Sequence, residues 1–281
     1  MTTRGTTEEP AVAPEVLWEP PGDVRAASRM GRYLDWLAGH DGPELQTYAD
    51  AWRWSVDEPG PFWRSIWEHF EVRSSEPPTG DLVDARMPGA RWFPGAQLNY
   101  VEHALRMPGR AQDDIVIVGR SQTRAPVELT AADLRDAVAR CRAGLERLGV
   151  RRGDRVAAYL PNVPEAIVAL LATASLGATW SSCAPEFGVR AVIDRFAQIE
   201  PRVLIAIDGY RYGDKPIDRR AELAEIRAAL PSVTSTVLLP YLDPGAPAKI
   251  PGIVPWADLL AAAGELTFEP VSFDHPLYIL Y

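Results

Sequence analysis

Residues 155–187 confine this chain to a narrow set of folds. Arg155–Leu160 reads as a strand that leads through Pro161-Asn162-Val163 into a helix whose first turn holds Pro164 and Glu165. Proline has no N–H to lose at that position, and the glutamate faces the positive end of the helix dipole. Gly177 supplies the left-handed stop, and Ala178–Cys183 reads as a second short strand that opens into the Pro-containing loop Ala184-Pro185-Glu186-Phe187. Strand, helix and strand with short joints make the βαβ unit of a parallel sheet. Such sheets bind ligands beyond the C-terminal ends of their strands.

The rhythm on either side agrees. Ile115–Gly119 reads as a strand with Pro126–Leu129 as its short partner across a turn. Thr130 with Asp133 forms a capping box before a helix whose Leu134, Val138, Cys141, Leu145 and Leu148 share one face, ending at Gly149. Beyond the central unit, Val189, Val192, Ile193 and Phe196 form another buried helical face that Pro201 stops. Val203–Asp208 follows as a core strand, Ile217–Leu230 as a helix and Thr236–Leu239 as a further strand. The alternation argues for an α/β fold with a doubly wound, mostly parallel sheet.

Upstream of about residue 108 the character changes. Seven of the nine tryptophans (Trp18, Trp36, Trp52, Trp54, Trp63, Trp67 and Trp92) fall in short helical segments there. Thr47 with Asp50 resembles a capping box, and Phe62, Trp63, Ile66, Trp67 and Phe70 recur at three- and four-residue spacing. Such an aromatic stripe serves either as a partner site or as packing within the same protein, and packing is favoured because soluble proteins seldom expose so much apolar surface. Pro77, Pro78, Pro88 and Pro94 mark a connector. The expected organisation is a disordered or extended segment over 1–28, a Trp-rich helical cap over 29–108, and an α/β subdomain over 109–281.

Composition sets outer limits. The net charge of −9 argues against a general binder of nucleic acid or anionic membrane, though not against a local basic pocket. Cys141 and Cys183 stand too far apart for a CxxC motif and fit no disulfide framework, so both are expected as reduced thiols in a cytoplasmic protein. Residues 1–14 are polar and Pro-rich without an apolar signal core, and no apolar run reaches bilayer-spanning length. Among the 29 basic residues only Lys215 and Lys249 are lysines, a compositional bias.

Three stretches resemble a known family. Trp92-Phe93-Pro94-Gly95 followed by Leu98-Asn99-Tyr100 and Glu102 resembles the junction between cap and nucleotide-binding body in acyl-adenylate-forming ligases. Pro161–Gly177 resembles that family's first long βαβ helix. Trp180-Ser181-Ser182-Cys183-Ala184-Pro185-Glu186-Phe187-Gly188 discriminates most, resembling the acetoacetate–CoA ligase branch rather than the acetyl-CoA synthetases with their Gly-Gly-Phe-Ser type loop; Gly209–Lys215 supports the same branch. The likeness runs from about Tyr48 to Tyr281 and makes 109–281 the first nucleotide-binding subdomain, truncated. Asp274–Tyr281 reads as a loop entering an apolar strand, either a terminal edge strand or the front of something longer; the resemblance favours the latter.

The resemblance implies a reaction. A carboxylate attacks the α-phosphate of ATP to give acyl-AMP and pyrophosphate, and the CoA thiol then displaces AMP. Charge develops on oxygen in both steps, so Mg²⁺, a lysine and backbone N–H donors are needed. In the family these lie in a Ser/Thr/Gly-rich loop directly after the strand that Leu277–Tyr281 resembles, and further on in a C-terminal lid. The chain carries no GxxxxGK[ST] loop, so no catalytic and no metal-binding residue is assigned, and residues 1–281 alone are expected to be inactive. The resemblance leaves one ligand surface, for CoA: Pro185 and Glu186 in the loop after the Trp180 strand, and Arg211 with Lys215 on a loop at the C-terminal end of Val203–Asp208. Arg211 can grip a phosphate bidentately and Lys215 can add a point charge. Against this, Arg202, Arg211, Lys215, Arg219 and Arg220 also read as a solvated face, and Pro185 and Glu186 replace glycines that would allow closer backbone approach.

Implied partners are therefore small molecules (acetoacetate, ATP and CoA), with no nucleic acid or membrane and the oligomeric state open. An acetyl-CoA or other short-chain synthetase is the nearest alternative, and a non-catalytic remnant binding CoA or a partner is the alternative of another class. Cys183 reads as a buried small hydrophobe rather than a nucleophile, and Trp180 as packing rather than the wall of an acyl channel. His40, His69, His103 and His275 lack metal spacing, so surface or structural roles are expected, with His69 hydrogen-bonded locally beside the aromatic face.

Overall fold

In the computed structural model, residues 15–40, 42–247 and 250–281 are described. Lys249 and residues 1–14 lie outside them. The chain forms two compact units, Met1–Val72 and Arg73–Tyr281.

The first unit is helical. Helices α1 (Val24–Ala27), α2 (Arg29–Ala38), α3 (Tyr48–Asp57) and α4 (Pro59–His69) follow in order. The segment expected to be extended up to residue 28 thus contains one helical turn. Thr47 and Asp50 form the expected capping box at α3, and Ser28 caps α2 through the Gly31 N–H at 3.0 Å. Tyr33, Leu34, Leu37, Leu45 and Ala51 make the core, with Trp36, Trp54, Phe62 and Ile66 packed on it. The aromatic stripe of α4 therefore divides: Phe62 and Ile66 face this core, whereas Trp63 is 47% and Phe70 65% exposed. His69 contacts the rings of Tyr33, Trp36 and Phe70, and its buried Nδ1 has no hydrogen-bond partner. The local hydrogen bond expected of His69 is not made at that nitrogen, which lies among aromatic rings.

The second unit begins with β1 (Leu82–Asp84), β2 (Arg91–Trp92), β3 (Gln97–Leu98) and α5 (Tyr100–Arg106). Next come β4 (Ile115–Gly119), β5 (Val127–Thr130), α6 (Ala131–Arg147), β6 (Arg155–Tyr159), α7 (Pro164–Ser175), β7 (Thr179–Cys183), α8 (Val189–Ile199) and β8 (Val203–Ile207). After β9 (Gly209–Tyr212) and β10 (Lys215–Asp218) the unit closes with α9 (Arg220–Ala229), β11 (Ser235–Leu239), β12 (Ile253–Pro255), α10 (Trp256–Leu259), β13 (Val271–Ser272) and β14 (Tyr278–Ile279).

Six strands form one parallel sheet in the order β12-β11-β8-β6-β7-β14. Successive side chains of a strand face opposite sides, and the sequence uses both. Val156, Ala158, Val203, Ile205, Ile207 and Val237 meet α6 and α7 through Leu134, Val138, Cys141, Leu145, Val168 and Ala172. Ala157, Tyr159, Leu204, Ala206 and Leu238 meet α8 and α9 through Val192, Phe196, Leu223 and Ile226. Helices on both faces make the sheet doubly wound, and the uninterrupted apolar run of β8 is fully buried as a central parallel strand requires. At roughly 25 cal/mol per Å² of apolar surface, two such cores dominate the stability of the unit. Gly177, at φ +65°, turns α7 back into β7.

The chain divides into its compact units at Val72/Arg73, while composition changes near 108. Residues 73–108 join the second unit because β3 pairs with β13, and because the Asn99 amide donates to the Ala174 and Glu269 carbonyls at 3.0 and 2.9 Å. The helix expected over Ile217–Leu230 starts at Arg220, since Lys215–Asp218 pairs with Gly209–Tyr212 as a hairpin. Asp218 then accepts from the Arg220 N–H at 2.9 Å, a local contact that begins the helix.

Candidate functional site

The C-terminal edge of the parallel sheet gathers the loops that follow β6, β7, β8 and β11. The turn after β7 closes with Phe187 N–H donating to the Ala184 carbonyl at 3.1 Å. Tyr159, the last residue of β6, is fully buried, and its hydroxyl shares its single proton between the carbonyls of Pro185 (2.7 Å) and Phe187 (2.9 Å). Burial pushes this phenol up to about 12, against a smaller opposing pull from Arg219. The hydroxyl is therefore protonated at neutral pH and remains a donor. Pro185 is buried under this arrangement and Glu186 is exposed.

The residues after β8 form an antiparallel hairpin rather than the expected loop. Arg211 stands opposite Pro216 and Tyr212 opposite Lys215, with Gly213-Asp214 at the tip. The hairpin arises because Gly209 lets the strands approach: a Cβ there would lie 2.3 Å from the Ile217 carbonyl oxygen. Arg211 and Lys215 are exposed. The five basic residues that read as one face separate physically. Arg202 precedes β8 and so lies at the opposite end of the sheet. Arg219 pairs with Glu222 at 2.7 Å and lies over the Tyr210 ring, and Arg220 is bound by Asp218. Among the described residues, Arg211 and Lys215 have no carboxylate partner, which leaves their charges for a ligand or for solvent.

Below the edge lies a polar framework that sequence inspection did not single out. Asp208, 1% exposed, accepts from the backbone N–H groups of Tyr241 (2.7 Å), Leu242 (2.9 Å) and Asp243 (2.5 Å). Three donors aimed at one carboxylate compensate its burial and tie the turn after β11 to the root of the hairpin. Glu165, read as a dipole partner only, also receives Arg124 bidentately at 2.7 and 2.5 Å, which holds the guanidinium above its usual pKa. The only sequence signals for these groups are an acid at a strand end before glycine and an acid in a helical first turn; neither names its partner.

Other candidate residues find structural places. Trp180 (5% exposed) lies in the core and Cys183 (5%) is buried, its thiol raised by desolvation. His103 donates to the Asn99 carbonyl at 3.0 Å and accepts from the Arg73 N–H at 2.7 Å, and His275 donates to the Gly177 carbonyl at 2.8 Å. The turn with Pro185 and Glu186 and the hairpin with Arg211 and Lys215 leave the same edge from strands separated by β6, roughly 10 Å apart. The edge offers cations and a fixed turn, an arrangement suited to holding a phosphorylated ligand rather than to breaking a bond.

Residues 106–281 match the AMP-binding enzyme family, and residues 48–104 match the acetyl-coenzyme A synthetase N-terminus. The chain belongs to the AMP-binding enzyme family. It is 41% identical over 271 residues to an acetoacetyl-coenzyme A synthetase of Rhizobium meliloti, covering 94% of this chain and 41% of that protein. It is 33% identical over 295 aligned residues to a malonamoyl-CoA synthetase of Penicillium aethiopicum, covering 99% of this chain and 40% of that protein. Among solved structures, an acetoacetyl-CoA synthetase from Streptomyces lividans superposes with a TM-score of 0.90 at 49% identity, covering 95% of this chain and 41% of that one. The chain thus spans about two-fifths of the length of these relatives.

Proposed function

We propose that this chain forms part of an enzyme that joins acetoacetate to coenzyme A with conversion of ATP to AMP and pyrophosphate, acting in the cytoplasm. The observation that carries this reading is the 49% identity to an acetoacetyl-CoA synthetase over 95% of the chain. In the proposed reaction an acetoacetate oxygen attacks the α-phosphate, pyrophosphate leaves, and the CoA sulfur then takes the acyl group as AMP departs with the bonding electrons. The role proposed for the sheet edge is CoA binding. Arg211 grips a phosphate, Lys215 adds charge, and the turn at Pro185 and Glu186, fixed by Tyr159, borders the nucleotide. Among the described residues no group of three His, Cys, Asp or Glu side chains could hold a metal ion, so no residue is assigned to Mg²⁺. No helix among those residues is long and apolar enough to cross a membrane.

The similarity to a malonamoyl-CoA synthetase favours one second reading, malonamate as the acid. Both acids carry a carbonyl at the third carbon and differ only in the group beyond it. The test is AMP and acyl-CoA formation by the product of the whole reading frame, with acetoacetate, malonamate and acetate supplied in turn. Acetoacetate is expected to give the highest kcat/KM. A preference for malonamate would replace the acid, and a preference for acetate would remove the assignment to this branch.

A further inference from the structure

The hairpin that carries Arg211 stands outside the six-stranded sheet. A two-stranded hairpin alone is only marginally stable in water, so its tip needs support from elsewhere. Two of its amides show where that support comes from. Arg211 N–H donates to Thr123 Oγ1 at 3.0 Å, and Gly213 N–H donates to Gln122 Oε1 at 3.1 Å. Arg211 stands opposite Pro216, and its N–H points out of the hairpin, where Thr123 takes it. Gln122 and Thr123 belong to the connection between β4 and β5, far away in sequence.

That connection is itself tied down. Ser121 Oγ accepts from the N–H groups of Thr123 (2.8 Å) and Arg124 (3.2 Å) and from the Tyr241 hydroxyl (2.6 Å). Arg124 binds Glu165 on α7 and lies over the Tyr241 ring, 5.1 Å from its centroid. The Tyr241 amide in turn donates to Asp208, two residues before the hairpin's Tyr210. A closed circuit therefore runs from Asp208 through Tyr241, Ser121 and Thr123 to the backbone of Arg211. We infer that Gln122 and Thr123 are positioning residues that fix the backbone from which Arg211 reaches a phosphate of CoA. This rests on the CoA reading of Arg211 and assigns its pre-organisation to the connection between β4 and β5. Fixing that backbone lowers the ordering cost of binding, the usual gain from pre-organisation.

The test compares CoA with pantetheine, which lacks the phosphates, by calorimetric titration of the 281-residue chain. Gln122→Leu/Thr123→Val removes both acceptors at partly or fully exposed positions, and Thr123→Ser retains its oxygen. The double variant is expected to lose roughly ten-fold in CoA affinity, about the effect of two hydrogen bonds, with pantetheine unaffected and Thr123→Ser near wild type. Amide exchange at Arg211 and Gly213 should accelerate in the same variant. CoA affinity within about two-fold of wild type in the double variant, while Arg211→Ala loses binding, would overturn the inference and leave the CoA reading standing. An equal loss for CoA and pantetheine would also overturn it, as general loosening. Wild-type protein that does not prefer CoA over pantetheine would remove the CoA reading and this inference with it.

Discussion

The turn after β7 and the hairpin after β8 leave the same edge of one sheet, yet they are held by opposite means. The 184–187 turn is pinned from beneath: a buried phenol donates to two of its carbonyls, and Pro185 is buried with it. The 209–218 hairpin is propped from the side, its amides taken by the exposed Gln122 and half-buried Thr123. A buried support is strong but indifferent to solvent, whereas a lateral one leaves Arg211 and Lys215 open to a ligand. The edge therefore couples a rigid wall to a charged arm.

The largest effect should come from breaking what the hairpin root and the 240–243 turn share. Asp208→Ala strands three backbone donors and is expected to cost about 3 kcal/mol of stability in urea unfolding, loosening the hairpin before the 184–187 turn. Smaller and confined to the other loop, Tyr159→Phe should lose about 1 kcal/mol and speed amide exchange at Phe187, with Arg211 and Gly213 unchanged. Equal acceleration in both loops would show that they move as one body and end the comparison.

A pH series sharpens the contrast without changing buried volume. The Tyr159 phenol is raised in the folded protein to about 12, above the ordinary value of 10.0, so its stabilising contribution is complete below about pH 10. It is lost as pH rises towards 12, because the unfolded chain ionises first. The 184–187 turn should loosen across that window by amide exchange, and Tyr159→Phe should remove this component of the pH dependence. The acceptors of the hairpin, an amide and a hydroxyl, do not titrate there. Smallest of all, Asp218→Asn weakens the exposed Arg220 pair and should shift stability by less than about 0.5 kcal/mol. A larger change would mean that the hairpin base depends on that pair.

The sheet was legible because its signals are local. Pro164 and Gly177 punctuate α7, Thr130 with Asp133 caps α6, and the apolar Val203–Ile207 run can only be a central strand. The hairpin was less legible: Tyr210-Arg211-Tyr212 and Ile217 read as loop and helix because their pairing depends on Gly209 and on a turn about 90 residues away. For the same reason Arg211 and Lys215 could be placed at a strand end from sequence, while Tyr159, Asp208, Gln122 and Thr123 could not be connected to them. Each acts through a backbone group distant in sequence, and no spacing rule encodes such contacts. The cluster of basic residues misled in the opposite direction, since adjacency in sequence does not show that Asp218 and Glu222 take up Arg220 and Arg219.

In the proposed role of this edge, Arg211 receives a phosphate of CoA. The decisive measurement is calorimetric titration of CoA into the wild-type chain and into Arg211→Ala. Saturable binding that Arg211→Ala weakens roughly ten-fold or more, with the wild-type affinity falling as salt is raised, is the expected result. Equal affinity of the two proteins for CoA would contradict it.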